Sequence, residues 1–236
     1  MGSVELSAGV ASIKPLTDTI MQVMVRPHRF VDYIPGQYLQ VMVDGAPMSF
    51  SIANTPDLKS GLYELHVRHC IDNEGHQRLL AQFMSHQSFN IQLPFGDCHV
   101  QALDRLRPVI FVAGGTGFAQ VKAMMDDWMA APTPTPCEFF WGMHSMHDVY
   151  MQDKIKQWQT SHPQFNYYEQ VSSNSDETLM SLFLKKHAHD MDDWQIVLSG
   201  PFGLVYDCRD ACLRCGALKE HIHADAFAFE NTKRSV

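Results

Sequence analysis

Residues Val109 to Met124 read VIFVAGGTGFAQVKAM. Val109, Ile110, Phe111, Val112 and Ala113 run without polar alternation, as a strand buried on both faces does, and Gly114, Gly115, Thr116 and Gly117 then break the run. A helix follows. Val121, Met124, Met125 and Trp128 recur at helical spacing on one side, with Asp126 and Asp127 facing away. Strand, glycine turn and helix gather free backbone N–H groups and the positive end of the helix dipole at one point, a seat for a diphosphate. The turn is neither GxGxxG nor a P-loop, and a glycine turn also serves simply to redirect the chain, so its meaning depends on its surroundings.

After Arg107-Pro108 the chain alternates strand and helix, which implies a doubly wound parallel sheet covered on both sides. Beyond the opening strand, further strands are expected at Cys137 to Gly142, Phe165 to Val171, Trp194 to Ser199 and His221 to Phe229. Helices are expected at Tyr150 to Thr160, Glu177 to Ala188 and Leu204 to Cys215, and Pro132-Thr133-Pro134-Thr135-Pro136 reads as a stiff surface connection. The first hundred residues read differently. Val10 to Pro15, Ile20 to Arg26, Tyr38 to Val43, Met48 to Ala53, Leu62 to Arg68 and Phe89 to Leu93 are short strands punctuated by turn residues, with one helix around His76 to His86. Six such strands predict a small antiparallel β-barrel. The expected organisation is thus a barrel over 1–100 and an α/β domain over 101–236.

With 45% hydrophobic residues among 236 the chain can bury a core, and 18 basic against 26 acidic residues disfavour nucleic acid and anionic membranes as partners. No run is long and apolar enough to span a bilayer and the N-terminus lacks a secretion pattern, so a cytoplasmic protein is expected. The six cysteines then read as reduced thiols. Cys208, Cys212 and Cys215 have the spacing of an iron–sulfur motif, but with Val205 they form a helical stripe, and burial is the better reading. Thirteen histidines include the pairs His144/His147, His187/His189 and His221/His223, none with the third ligand of a zinc pattern, so no metal is expected. A hydrolase nucleophile motif is absent as well.

Four further segments surround the GGTG turn in a telling order: Pro35-Gly36-Gln37-Tyr38, Phe50-Ser51-Ile52-Ala53-Asn54-Thr55-Pro56, Ser199-Gly200-Pro201 and Asp225-Ala226-Phe227-Ala228-Phe229. Together they resemble the ferredoxin–NADP reductase superfamily. The ending is similar to that of the small bacterial NAD(P)H:flavin reductases, including the enzymes that supply reduced flavin to luciferase. The resemblance implies a flavin against the barrel and a nicotinamide nucleotide on the second domain. It implies Ser51 near the flavin N5, Phe50 and Ile52 offering backbone to the ring edge, and Thr116 where the two rings meet. Gly114, Gly115, Gly117 and Phe118 would take the dinucleotide phosphates, and Gly200, Pro201 and Phe202 would shape the nicotinamide pocket. Ser199 stands where the family has cysteine; Asp225 would orient the nicotinamide or relay a proton, or be an ordinary exposed strand-end aspartate.

The departures matter equally. Flavoproteins of this superfamily that retain their cofactor carry RxYS or RxFS, whose Arg pairs with the flavin phosphate; here the run that the resemblance implies would contact the flavin is Met48-Ser49-Phe50-Ser51. Met48 cannot neutralise a phosphate, and the strand after Leu62 leads into Arg68-His69-Cys70 without the family's glycine turn, although Arg68 substitutes for it in part. The expectation is NAD(P)H-dependent reduction of free flavin, FMN or riboflavin with FAD admitted, by hydride transfer to N5. Reduced flavin would pass to a flavin-dependent monooxygenase or luciferase. The loop Gly142-Met143-His144-Ser145-Met146-His147-Asp148 holds no Arg for a 2′-phosphate, which favours NADH, although Ser145 with a protonated His144 offers another route. Two rivals remain: a reductase with tightly held flavin serving a protein partner, and a non-catalytic nucleotide- or flavin-binding module.

Overall fold

The computed structural model describes residues 2–70, 72–85, 87–130, 135–174 and 177–229. It contains two sheets. The first is six-stranded and antiparallel, built from β1 (Val4–Pro15), β2 (Ile20–Pro27), β3 (Tyr38–Val43), β4 (Ala46–Ser51), β5 (Tyr63–Arg68) and β6 (Phe89–Phe95) in the order β4-β3-β6-β1-β2-β5. It curls into an open barrel. The edge strands β4 and β5 form no ladder of their own, but just past β4 the Ala53 N–H donates to the Glu64 carbonyl at 2.7 Å. Inside lie Val23, Val25, Leu39, Val41, Leu65, Val67, Ile91 and Leu93, the inward members of alternating strands. Helix α1 (Glu74–Met84), started by the Asn73 side chain accepting from the His76 N–H, contributes the buried Leu79 and Phe83 to that core.

The second sheet is parallel with order β11-β10-β7-β8-β9: β7 (Val109–Gly114), β8 (Cys137–Met143), β9 (Phe165–Val171), β10 (Gln195–Ser199) and β11 (Ile222–His223). Its inner strands β7, β8 and β10 are buried on both faces, and the edge strand β9 is only partly covered. In β7, Val109, Phe111 and Ala113 join one core with Val121, Met124 and Trp128 of α2 (Phe118–Ala130) and Ile155 and Trp158 of α3 (Gln152–Ser161). Ile110 and Val112 point the other way, into a core with Leu179 and Phe183 of α4 (Leu179–His187) and Val205 and Cys208 of α5 (Phe202–Arg214). That two-sided burial is why the run from Val109 to Ala113 lacks alternation.

Three expectations change, the first being that β1 begins at Val4 and not Val10, because Val4–Ala8 pair with β6. The strand expected at Met48 to Ala53 occurs two residues earlier, because pairing with β3 matches Ser51 to Tyr38 and Ala46 to Val43. The strand expected at His221 to Phe229 is only Ile222–His223, followed by a 3-10 turn over Asp225–Phe229. Its alternation of alanine and phenylalanine imitates a strand, but Ala226 within the turn and Ala224 just before it are buried in the α4/α5 core. Pro132, Thr133 and Pro134 of the proline-rich connection lie outside the described residues. No helix among those described is long and apolar enough to cross a membrane.

Candidate active site between the two sheets

A cleft of about 830 Å³ opens where the end of β4, the polar side of β5 and the carboxyl ends of β7, β8 and β10 meet. In open α/β sheets ligands bind at this end of the strands, where the winding reverses. Ser49, Phe50 and Ser51 line it from the barrel, Gly114 to Gly117 from the turn after β7, Ser199 to Phe202 from the turn after β10, and Asp225 and Phe229 from the closing 3-10 turn. Among the described residues the hydroxyls of Ser51 and Thr116 have no hydrogen-bond partner, so both remain available to a ligand.

The glycines divide into two kinds. A Cβ on Gly117 would lie 2.5 Å from the Ser199 carbonyl oxygen, and one on Gly114 would lie 2.6 Å from Leu204. Gly200, at φ +135°, would collide with the Gly114 backbone from the opposite side. These three residues let the turns after β7 and β10 pack backbone against backbone. Gly115 differs. It sits at φ +53°, its carbonyl is held by the Trp141 Nε1–H at 2.9 Å, and a Cβ there would approach only the Arg68 guanidinium, at 3.5 Å. Gly115 is therefore the open point of the turn.

Three residues expected at the site lie elsewhere. The Ile52 side chain is fully buried in the barrel core and its N–H is spent on the Gln37 carbonyl at 3.1 Å, and Met48, opposite Val41 on β3, packs on the same core and does not line the cleft. Phe118 is also fully buried, stacked 4.4 Å from Trp141, and its N–H is spent on the carbonyls of Gly115 and Thr116. That N–H cannot serve a phosphate.

Asp225 is neither on a strand nor a free surface carboxylate. Its Oδ1 accepts the Cys98 N–H at 3.1 Å and its Oδ2 accepts the Gln120 Nε2–H at 2.8 Å, while Gly96 leaves room for the carboxylate. Gln120 Nε2 also lies 2.9 Å from the Gly36 carbonyl and 3.1 Å from that of Cys98. Burial, with Asp97 adding repulsion, raises the Asp225 carboxyl from 3.8 to about 7 despite those donors. A carboxyl that exchanges its proton near neutrality at the edge of the cleft is suited to proton transfer.

A buried polar network beside the cleft had no sequence signal beyond the polar alternation of Glu64, His66 and Arg68 on β5. Glu64 Oε1 lies 3.0 Å from His66 Nε2 and accepts from Gln22 at 2.7 Å, while its Oε2 meets Lys122 Nζ of α2 at 3.1 Å. Burial lowers the His66 imidazole from its ordinary range despite the Glu64 hydrogen bond, which favours the neutral ring. With Nε2–H directed at Glu64, Nδ1 accepts from the Tyr150 hydroxyl at 3.1 Å. His66 also stacks on Phe118, the first residue of α2. The thiols play no comparable part: burial raises Cys208 and Cys212 on α5 to about 12. Among the described residues no group of three or more His, Cys, Asp or Glu side chains could hold a metal ion.

An open antiparallel barrel joined through a glycine-lined cleft to a doubly wound parallel sheet defines a dinucleotide-using oxidoreductase architecture. Residues 111–210 match the oxidoreductase NAD-binding domain family. The ferredoxin reductase of carbazole 1,9a-dioxygenase superposes with a TM-score of 0.81 at 18% identity, over 96% of this chain and 70% of that one. The whole chain thus has the fold of that ferredoxin reductase, with an oxidoreductase NAD-binding domain match over residues 111–210. It is 31% identical over 204 residues to a reductase component of terephthalate 1,2-dioxygenase from Comamonas sp., covering 84% of this chain and 60% of the relative. It is 26% identical over 233 residues to an NAD(P)H-flavin reductase of Vibrio harveyi, covering 93% of this chain and 97% of that protein. The chain thus spans about three fifths of the dioxygenase reductase component and nearly all of the flavin reductase.

Proposed function

We propose that this protein oxidises NADH and reduces free flavin, FMN or riboflavin, by direct hydride transfer. The observation that carries the reading is that Ser51 of the barrel and the Gly115-Thr116 turn of the parallel sheet face one cleft. Nicotinamide and flavin supply the hydride chemistry themselves, and the protein's share is alignment. Ser51 offers its free hydroxyl to the flavin ring, and Thr116 stands between the two ring positions. Pro201 and Phe202 wall the nicotinamide side, and Asp225 gives or takes a proton near neutral pH. Met48, packed on the barrel core, offers no cation at the position from which tight flavoproteins hold the flavin phosphate, which supports flavin as a substrate that comes and goes. NADH is favoured over NADPH because the Ser145 hydroxyl already donates to the Asp148 carboxylate, and that negative charge opposes a 2′-phosphate there.

The test follows absorbance at 340 nm with flavin-stripped protein. Oxidation of NADH only when FMN or riboflavin is added, saturating with flavin, supports the proposal; no oxidation by folded protein with any flavin, FAD included, overturns it. The likeness to the terephthalate dioxygenase reductase component supports a second reading, in which electrons pass through held flavin to an oxygenase partner. Flavin co-eluting in near-equal amount on gel filtration would favour that reading.

A further inference from the structure

Gln120, the third residue of α2, lines the cleft and is 3% exposed, while its neighbours Phe118, Ala119 and Val121 are apolar and buried as the start of a core-facing helix. A buried primary amide is costly unless its polar atoms are paired, and this one has more partners than it can serve. Nε2 lies 2.8 Å from Asp225 Oδ2, 2.9 Å from the Gly36 carbonyl and 3.1 Å from the Cys98 carbonyl. The two carbonyls can only accept, which turns the nitrogen rather than the amide oxygen toward all three. That nitrogen carries two hydrogens. Three acceptors therefore compete for two donors.

Neither carbonyl is free to move away. A Cβ on Gly36, at φ +110°, would lie 2.5 Å from the Cys98 carbonyl oxygen and 2.7 Å from His99 Cα, so the turn before β3 and the segment after β6 pack backbone against backbone. The carboxyl is the variable partner, since it exchanges its proton near neutrality. The titratable groups that bear on it are Asp97, which repels its negative charge, and the Cys98 thiol and Tyr38 hydroxyl, both raised by burial. Protonated, Asp225 needs no hydrogen from Gln120, and the amide serves the Gly36 and Cys98 carbonyls. Ionised, it binds a donor more strongly than a neutral carbonyl does and takes one hydrogen.

We propose that Gln120 is the positioning residue for proton transfer at Asp225: its amide gives one hydrogen to the carboxylate when Asp225 has released its proton and returns it to the barrel carbonyls when Asp225 is protonated. The proposal rests on the nicotinamide–flavin reading of the cleft, in which Asp225 gives or takes the proton, and adds to it the residue that sets how readily the carboxyl does so.

The test is the titration of Asp225 followed by carbon NMR of its carboxyl, without substrate, in wild type and Gln120→Met, the resonance being assigned by its loss in Asp225→Asn. Methionine keeps the length of the side chain and removes the donor. The Asp225 midpoint should rise from about 7 by at least about one pH unit, because the ionised form loses a hydrogen bond. The pH dependence of NADH oxidation with FMN should move by the same amount. An unmoved midpoint overturns the proposal, as does a moved midpoint with an unmoved rate profile. If Gln120→Met does not fold, the wild type decides: the side-chain amide resonances of Gln120 should titrate together with Asp225 and stay flat in Asp225→Asn, and wild-type resonances flat through the Asp225 midpoint overturn the exchange. Folded wild type that oxidises no NADH with any added flavin overturns the reductase reading instead, and the resonances recorded without substrate still decide the link between Gln120 and Asp225.

Discussion

Lys122 of α2 and Glu64 of β5 meet across the junction of the two sheets, Nζ to Oε2 3.1 Å apart, with both side chains about nine-tenths buried. Lys122 also donates to the Ala53 carbonyl at 2.9 Å, just where the barrel edges come together. One ammonium therefore joins the barrel seam to the helix that follows the GGTG turn. The pair is one of several polar contacts between the barrel and the parallel-sheet side, with Gln120 to the Gly36 carbonyl and Thr19 to Asp148 among the others.

Lys122→Met should destabilise the protein by about 3–5 kcal/mol, because it leaves the Glu64 carboxylate buried without its cation. Burial opposes ionisation of Glu64, yet the His66 hydrogen bond and the Lys122 charge outweigh it and hold the carboxyl at about 2. A depressed native pKa means that this stabilisation is present above the unfolded value and is lost as pH falls from about 4 toward 2. Denaturant melts of Lys122→Met, Glu64→Gln and the double variant check it. The double variant should recover much of the loss; strict additivity would show that the two side chains do not interact.

Gly117→Ala should cost about 1–3 kcal/mol and weaken dinucleotide binding, since its Cβ meets the Ser199 backbone at 2.5 Å and neither turn can give way cheaply. Gly203→Ala is the matched control. It lies in α5 with nothing within 4 Å of a new Cβ and should stabilise by up to about 1 kcal/mol. Thermal melts with and without ADP-ribose measure both. A neutral Gly117→Ala would mean that the two turns do not pack as described.

What the sequence revealed and what it hid follow from burial. β7 and β10 were legible because strands covered on both faces are written in nearly continuous apolar residues, and Tyr38–Val43 because a buried and a part-exposed face alternate in it. β5 was legible as a strand but not as a junction: Glu64 and His66 look like a solvent-facing edge, and only the tertiary fold covers that edge with α2 and Tyr150. Spacing alone likewise cannot separate a glycine that opens onto the cleft from one that faces another turn, as Gly115 and Gly117 do. The position of Met48 in RxYS-like register suggested a flavin contact, whereas strand alternation directs its side chain to the barrel core.

Ser51→Ala should lower the rate of NADH oxidation with FMN at least about tenfold while leaving the KM for NADH nearly unchanged. The hydroxyl faces the cleft from the barrel wall and touches no part of the dinucleotide turn. Steady-state kinetics at saturating FMN separates the two effects. An unchanged rate removes Ser51 from the reacting centre, and a matching rise in KM makes it a residue of nucleotide binding.

Asp225 carries the last expectation, which concerns pH. Its carboxyl is raised by burial from 3.8 to about 7, so between those values the native chain holds a proton that the unfolded chain has released. Stability falls with rising pH wherever the native state binds more protons, so the contribution of Asp225 is greatest below about pH 4 and is lost as pH passes 7. Asp225→Asn cannot titrate, and the fall in melting temperature between pH 5 and pH 8 should be smaller in the variant than in the wild type. Activity should report the same group: NADH oxidation by the wild type should show a titration near pH 7 that the variant lacks. If both profiles are the same with and without the carboxyl, the Cys98 and Gln120 donors hold Asp225 ionised throughout, and its place in the cleft is structural.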